Sequence, residues 1–205
     1  KNFANIFFMY PIKWMLGYFI KGSNPQKIKD TITPEIIHEL THVFDLSIQK
    51  EMDARLRGKQ KHQERIHDEG IAVFQTIVSF PNKFFIKKHT RKKINRILNL
   101  SSWTKFLEDA YGAGSYMFLV LFTLHLTEKY PLFADEMKKL VRGKEFELDK
   151  VKLWLSSPEI QNETAIFIRY WRAQSQNLLI KEFVKALILL KIEPVFLLEK
   201  KAKAA

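Results

Sequence analysis

The sequence predicts a mainly α-helical protein, and three features lead to this prediction. Apolar residues recur at helical spacing, alternating strand patterns are nearly absent, and Ser, Thr and Pro stand where helices would begin. Of the 205 residues, 46% are hydrophobic and 27% are charged, so the chain has enough apolar surface to bury a substantial core. We therefore expect a core of packed helices with little or no β-sheet.

Changes in composition divide the chain into three regions. Residues 1–33 form an apolar N-terminal segment followed by a loop, residues 34–131 carry the motifs that bear on function, and residues 132–205 form a helical region expected to pack on them. The N-terminal segment contains Pro11 and Lys13 and is short for a bilayer span. This favours a helix packed on the core or lying on a membrane surface.

The chain contains no cysteine, which restricts the chemistry available to it. Disulfides, thiolate metal ligands and thiol nucleophiles are excluded, so a metal site must use His, Asp or Glu. The net charge of +12 predicts attraction to acidic partners, phosphate backbones and anionic lipids. The lack of cysteine and of a clear signal or spanning segment favours a cytoplasmic location.

The stretch ITPEIIHELTHVFDLSI predicts a helix that carries a metal-binding motif. Thr33 followed by Pro34 is typical of a helix start. Because residues i and i+4 share a helix face, His38 and His42 would present two imidazole nitrogens to one ion, with Glu39 beside them as general base. The sequence therefore predicts a Zn²⁺ site. An apolar stripe is expected to face the core, away from the histidines: Ile36, Ile37, Leu40, Val43, Phe44 and Ile48.

A catalytic zinc needs a third protein ligand and one open position. The candidates that follow the histidines are His62, Glu64, His67 and Glu69. Glu69 is favoured, because it stands at the head of an apolar helix expected over residues 68–79, whose packing would fix its side chain.

Other polar residues admit two interpretations each. Asp45 or Asp68 would hold the second ring nitrogen of a zinc histidine, or would be surface or helix-capping carboxylates. His89 and His125 would donate to an oxyanion, or would be a solvated residue and a lone polar position in an apolar helix.

The rest of the chain also predicts helices. A cationic amphipathic helix is expected after Pro81, and a Ser cap precedes a segment that breaks at Gly112–Gly114 and continues as an apolar helix ending at Pro131. The glycines would either break two helices or open room for a substrate backbone. A charged helical piece and a long amphipathic segment over 158–190 follow.

Three stretches resemble the gluzincin family of zinc metallopeptidases. HELTHVFD is similar to the zinc helix of thermolysin-like peptidases, and DEGIAVF is similar to the helix that carries the glutamate ligand in gluzincins. AYGAGSYMFLVLF resembles the Tyr-x-x-Gly segment of aminopeptidase-like gluzincins. The resemblance covers residues 34–128 and is closest in style to the minimal archaeal gluzincins.

This resemblance implies a zinc-dependent peptidase acting on peptides or proteins, with residues 34–131 as its catalytic core. It implies His38, His42 and Glu69 as zinc ligands, Glu39 as general base, and Tyr111 as the donor that stabilises the transition state. The sequence departs from the larger gluzincins, since no strand pattern precedes the zinc helix and no motif for binding a substrate terminus is found. A latent enzyme, with residues 132–205 covering the cleft, is a further interpretation.

A different class of function is a basic module that binds nucleic acid or an anionic membrane, built on an inactive peptidase-like core. It depends on the net charge and on a cationic stretch interleaved with aromatic residues. The residues that would make this contact are Lys83, Lys87, Lys88, Arg91, Lys92, Lys93 and Arg96. Metal content and salt-dependent affinity for nucleic acid would separate the two functions.

Overall fold

The computed structural model describes residue 26 and residues 33–42, 66–84 and 87–202. All regular secondary structure in these residues is helical, and none of them lies in a strand. The prediction of a mainly α protein is therefore confirmed.

The helices follow one another with short connections. We number them α1 (33–42), α2 (Ile66–Ser79), α3 (Pro81–Phe84), α4 (Lys87–Leu98), α5 (Trp103–Glu108), α6 (Ala110–His125), α7 (Pro131–Val141), α8 (Leu148–Leu155), α9 (Pro158–Arg172), α10 (Gln176–Leu189) and α11 (Val195–Ala202).

The centre of the fold is the pair of helices α2 and α6, which make the most extensive helix contact in the described residues. Both helices are apolar around most of their circumference, a pattern typical of helices buried on all sides. Helices α7 and α10 pack on α6, and α9 packs on α2. One hydrophobic cluster runs from Ile66 to Phe196, so the helices beyond Pro131 contribute to the same core as α2 and α6.

Two glycines let the backbones of α2 and α6 touch. A Cβ atom on Gly114 would lie 2.4 Å from the carbonyl oxygen of Ile66 and 2.7 Å from the Cα of Gly70. A Cβ atom on Gly70 would lie 2.7 Å from Cδ2 of Phe118. These separations are too short for any side chain, so glycine is required at the crossing.

The predicted break at Gly112–Gly114 is wrong, because α6 runs through it without interruption. The helix starts at Ala110, where the Asp109 side chain accepts a hydrogen bond of 2.8 Å from the backbone N–H of Gly112. Gly114 serves helix packing rather than a turn.

Two other predicted boundaries also change. Helix α6 ends at His125 rather than at Pro131, which instead begins α7. The segment over 158–190 divides into α9 and α10, because Ser175 caps a new helix by accepting a hydrogen bond from the N–H of Leu178.

Helix α1 packs through its histidine face, which is the reverse of the prediction from its apolar stripe. Pro34, His38 and Thr41 are buried, whereas Leu40 is 43% exposed. Two further stripe residues, Ile36 and Ile37, are only half-buried, and the others, Val43, Phe44 and Ile48, lie outside the described residues.

The prediction that residues 1–33 begin with an apolar helix also concerns residues outside the described part of the chain. Among the helices that the structure describes, none is both long enough and apolar enough to cross a bilayer.

The end of α10 holds a lysine in a conformation that favours glycine. Lys191 has φ of 54°, and it precedes Ile192, whose N–H donates a 2.8 Å hydrogen bond to the carbonyl oxygen of Leu187. This is the Schellman arrangement. Helix α7 ends in the same arrangement, with Gly143 at φ of 66° in the corresponding position. We expect Lys191→Gly to raise the free energy of unfolding by about 1 kcal/mol, because the left-handed conformation strains a residue with a Cβ atom. Urea unfolding tests this, and a loss of stability would contradict it.

A buried carboxylate should make stability sensitive to acid. Glu163 is 5% exposed and accepts hydrogen bonds from the ammonium group of Lys129 and, at 3.1 Å, from Nε2 of His125. The hydrogen bond from Lys129 holds the pKa of Glu163 below its usual value; burial opposes this effect, and His125 adds to it. Because the folded-state pKa is the lower one, this contribution is complete above the unfolded-state pKa of about 4.3 and is lost as pH falls through the folded-state pKa.

Glu163→Gln is therefore expected to destabilise the fold by about 1 to 2 kcal/mol at pH 7. The difference in melting temperature between the wild type and this variant should shrink below about pH 4.3. A difference that stays constant from pH 7 to pH 3 would show that the charge of Glu163 contributes nothing to stability.

Candidate metal centre

Three side chains predicted as zinc ligands meet where α1 contacts the first turn of α2. Nε2 of His38 lies 3.1 Å from Nε2 of His42. Oε2 of Glu69 lies 3.5 Å from Nε2 of His38 and 3.6 Å from Nε2 of His42. The i, i+4 spacing on α1 brings the two histidines together, and the start of α2 supplies the carboxylate.

The spacing of these three atoms suits a tetrahedral ion. Zinc binds imidazole nitrogen and carboxylate oxygen at about 2.0 to 2.2 Å, so two of its ligand atoms lie about 3.4 Å apart. The nearest point equidistant from atoms separated by 3.1, 3.5 and 3.6 Å lies in their plane, about 2.0 Å from each, and an ion about 0.7 Å out of that plane lies about 2.1 Å from each. These residues can therefore hold a metal ion without moving apart.

The electrostatics of the cluster favour a cation. Burial lowers the pKa of His42, but its contact with the Glu69 carboxylate outweighs burial, and the pKa of His42 lies above its ordinary value. The charges of Glu39 and Asp68 act in the same direction. Three electron-rich atoms directed at one point repel each other unless a proton or a metal ion lies between them.

The second ring nitrogen of His38, Nδ1, is also buried. His38 is 8% exposed, and its Nδ1 is buried without a hydrogen-bond partner in the described part of the chain. A metal on Nε2 requires the proton of the neutral ring to reside on Nδ1. Within the described residues, the Nδ1–H that a metal on Nε2 would require therefore has no acceptor.

Glu39 lies between the two histidines in the sequence, and its side chain is exposed. Its charge raises the pKa of His42 and contributes to the raised pKa of Tyr111. The Glu39 carboxylate therefore acts electrostatically on groups at the cluster and is accessible to water.

Tyr111 borders the cluster from the first turn of α6. Its ring centroid lies 5.6 Å from that of His38, and the residue is 46% exposed. Partial burial, followed by the charges of Glu35, Glu69 and Glu39, raises its pKa to about 12. The phenol therefore keeps its proton at neutral pH and can donate a hydrogen bond to a developing anion.

The glycine crossing of α2 and α6 explains why these residues meet. Glu69 directly precedes Gly70, and Tyr111 lies three residues before Gly114, which contacts Gly70. The close approach of the two helices therefore helps to set the distance between Glu69 and Tyr111. The sequence analysis missed Gly70, and it considered Gly114 only as a helix break or as room for a substrate backbone, although small residues on an apolar helix face are a recognisable signal of close packing.

The other ligand candidates, and the two aspartates considered as partners of a zinc histidine, contact other groups or lie outside the described residues. Nε2 of His67 donates a 2.7 Å hydrogen bond to the carbonyl oxygen of Trp171, so this ring is directed away from the cluster. Asp68 lies with Oδ1 3.5 Å from Nδ1 of His67. His62, Glu64 and Asp45 fall in parts of the chain that the structure does not describe.

The interpretation of His125 as an oxyanion donor is wrong. It lies at the opposite end of α6 from Tyr111, about 21 Å along the helix axis at 1.5 Å per residue, and it bonds to Glu163. The side chain of His89 is outside the described part of the structure.

The cationic stretch is partly neutralised by ion pairs. Arg91 lies 2.7 Å from Glu145, and Arg96 lies 3.6 Å from Asp109. Lys92 and Lys93 are exposed. The side chains of Lys83, Lys87 and Lys88 are outside the described residues.

Comparison of the chain with protein-family models, with curated protein sequences and with solved structures gives no match in any of the three.

Proposed function

We propose that this chain is a zinc-dependent peptidase whose metal is held by His38, His42 and Glu69. The observation that supports this most strongly is the triangle formed by Nε2 of each histidine and Oε2 of Glu69, with sides of 3.1, 3.5 and 3.6 Å. These ligand types at these separations are those of a catalytic zinc site with an open position.

Glu39 and Tyr111 would each have a separate role in peptide hydrolysis. Zinc would supply a Lewis acid that polarises the scissile carbonyl and makes water more acidic. Glu39 takes the proton from the water as it attacks the carbonyl carbon, and later returns a proton to the leaving amine. Tyr111 donates its O–H to the carbonyl oxygen as negative charge develops there.

Metal content tests the ligand set. We expect near one zinc per chain in the purified wild type, and at least a hundredfold weaker zinc affinity in His42→Ala, since two protein ligands are too few for a tetrahedral site. Inductively coupled plasma mass spectrometry measures the metal, and circular dichroism checks that both proteins are helical.

His125→Ala is the matched control, because it removes an imidazole from α6 at a distance from the cluster. It should retain zinc. A wild type that binds no zinc after zinc is added, or equal loss of zinc in both variants, would reject the proposal.

A further inference from the structure

A pocket lies beside the proposed centre, and Tyr111 forms part of its wall. It has a volume of about 170 Å³ and is enclosed by α2, α4 and α6. The lining is largely apolar, with contributions from Val73, Ile77, Ile94, Ile97, Tyr116 and Leu119. Ligand sites for drug-sized molecules measure about 300 to 1,000 Å³, so this pocket is of a size for one side chain rather than for a whole ligand.

The lining of this pocket carries two cationic residues from α4 and one carboxylate, that of Asp109. Lys93 and Arg96 both line it, and both side chains are exposed. The guanidinium group of Arg96 forms an ion pair with the carboxylate of Asp109 at 3.6 Å. Lys93 makes no ion pair among the residues that the structure describes. Lys93 is therefore the rim cation that is available to a ligand.

The charged residues near Tyr111 differ in sign between α1 and α4. Glu35 and Glu39 of α1 act on the phenol from the side of the metal cluster. On the other side, the wall of the pocket is formed by α4, which contributes Lys93 and Arg96. Asp109 offsets Arg96, so a peptide lying past Tyr111 would meet an apolar site whose remaining charge is that of Lys93.

We propose that this pocket selects peptides by binding an apolar side chain in its interior and an adjacent carboxylate at Lys93. The inference rests on the proposed peptidase function and names the substrate class of that site. The carboxylate would come from an acidic side chain or from the C-terminus of the peptide. Part of the cationic stretch of α4 thus serves substrate recognition, and Lys93 is the residue that determines specificity.

The experiment measures peptide binding by fluorescence anisotropy to the zinc-loaded full chain carrying Glu39→Gln, so that bound peptide is not cleaved. The reference probe is fluorescein-Gly-Ala-Gly-Leu-Asp-Ala-amide, with Asn for Asp and Ser for Leu as its two variants. A second pair, fluorescein-Gly-Ala-Gly-Ala-Leu as free acid and as amide, tests the C-terminal carboxylate. Each probe is measured at low and high salt.

We expect a carboxylate to tighten binding roughly fivefold in one of the two pairs, and replacing Leu by Ser to weaken it about tenfold. Which pair shows the effect identifies the source of the carboxylate. Adding Lys93→Ala should abolish the preference, whereas Lys92→Ala, the neighbouring lysine that does not line the pocket, should retain it.

Equal binding of all probes, absence of binding, or equal loss of the preference in both lysine variants would overturn the inference. Hydrolysis of the same peptides by the wild type is measured separately. If the wild type cleaves these peptides but shows no preference for the carboxylate and the apolar side chain, only the recognition site is contradicted. If the peptides bind selectively but are not cleaved, the peptidase proposal is contradicted and the recognition site is supported.

Discussion

Glu39→Gln is expected to lower kcat/KM for peptide hydrolysis about a thousandfold while zinc stays bound at near one per chain. The amide has the size and shape of the carboxylate but cannot accept the proton of the attacking water, and general acid–base groups contribute about 10²- to 10⁴-fold. Because Glu39 is exposed and is not one of the three converging ligands, the fold and the metal site should be unaffected.

Glu35→Gln provides the control for this prediction. It removes the same charge from the same helix, one turn earlier, from a residue that is also exposed. Its kcat/KM should stay within about threefold of the wild type, because only a long-range charge is lost. If Glu39→Gln holds zinc and keeps more than a tenth of the wild-type rate, Glu39 is not the general base.

Gly114→Ala is expected to destabilise the protein although alanine is the better helix former. The new Cβ atom would meet backbone atoms of α2 at 2.4 to 2.8 Å, and backbone cannot rotate away as a side chain can. Overpacking of this kind costs about 1 to 3 kcal/mol or more, against a gain of about 1 kcal/mol in helix propensity. We expect a net loss of about 2 kcal/mol, which lowers the melting temperature by about 4 to 8 °C.

The same change should weaken zinc binding at least tenfold, because moving α2 away from α6 displaces Glu69. Gly112→Ala is the matched control, since its Cβ would meet only the carboxylate end of Asp109, which can rotate. That variant should lose no more than about 1 kcal/mol, because the helix propensity of alanine offsets a weakened Asp109 cap, and it should retain zinc because the α2–α6 crossing is unchanged. A Gly114→Ala protein as stable as the wild type would show that the helix crossing adjusts without cost.

The candidate ligands were predictable because their geometry is mostly local. The i, i+4 spacing of His38 and His42 places both rings on one face of any α-helix, whatever surrounds it. Glu69 was predicted from its place at the head of an apolar helix, and the structure brings its carboxylate to both histidines. The helical content followed in the same way from periodicity and capping residues.

The features that the sequence did not reveal depend on contacts between distant segments. The sequence predicted that Gly114 would break a helix, whereas its role in helix packing depends on its contact with Gly70. The face of α1 that packs is likewise set by its neighbours, and the histidine face packs although Leu40 is the more apolar residue. The pocket beside Tyr111 exists only where α2, α4 and α6 converge, so no single stretch of sequence contains it.

The most direct test of the proposed centre is a crystal structure of the zinc-loaded chain, with anomalous data on both sides of the zinc absorption edge. We predict one anomalous peak at about 2.0 to 2.2 Å from Nε2 of His38, Nε2 of His42 and an oxygen of Glu69. No peak at this position, or a zinc peak bound only by other residues, would contradict the proposal that these three side chains form a catalytic metal centre.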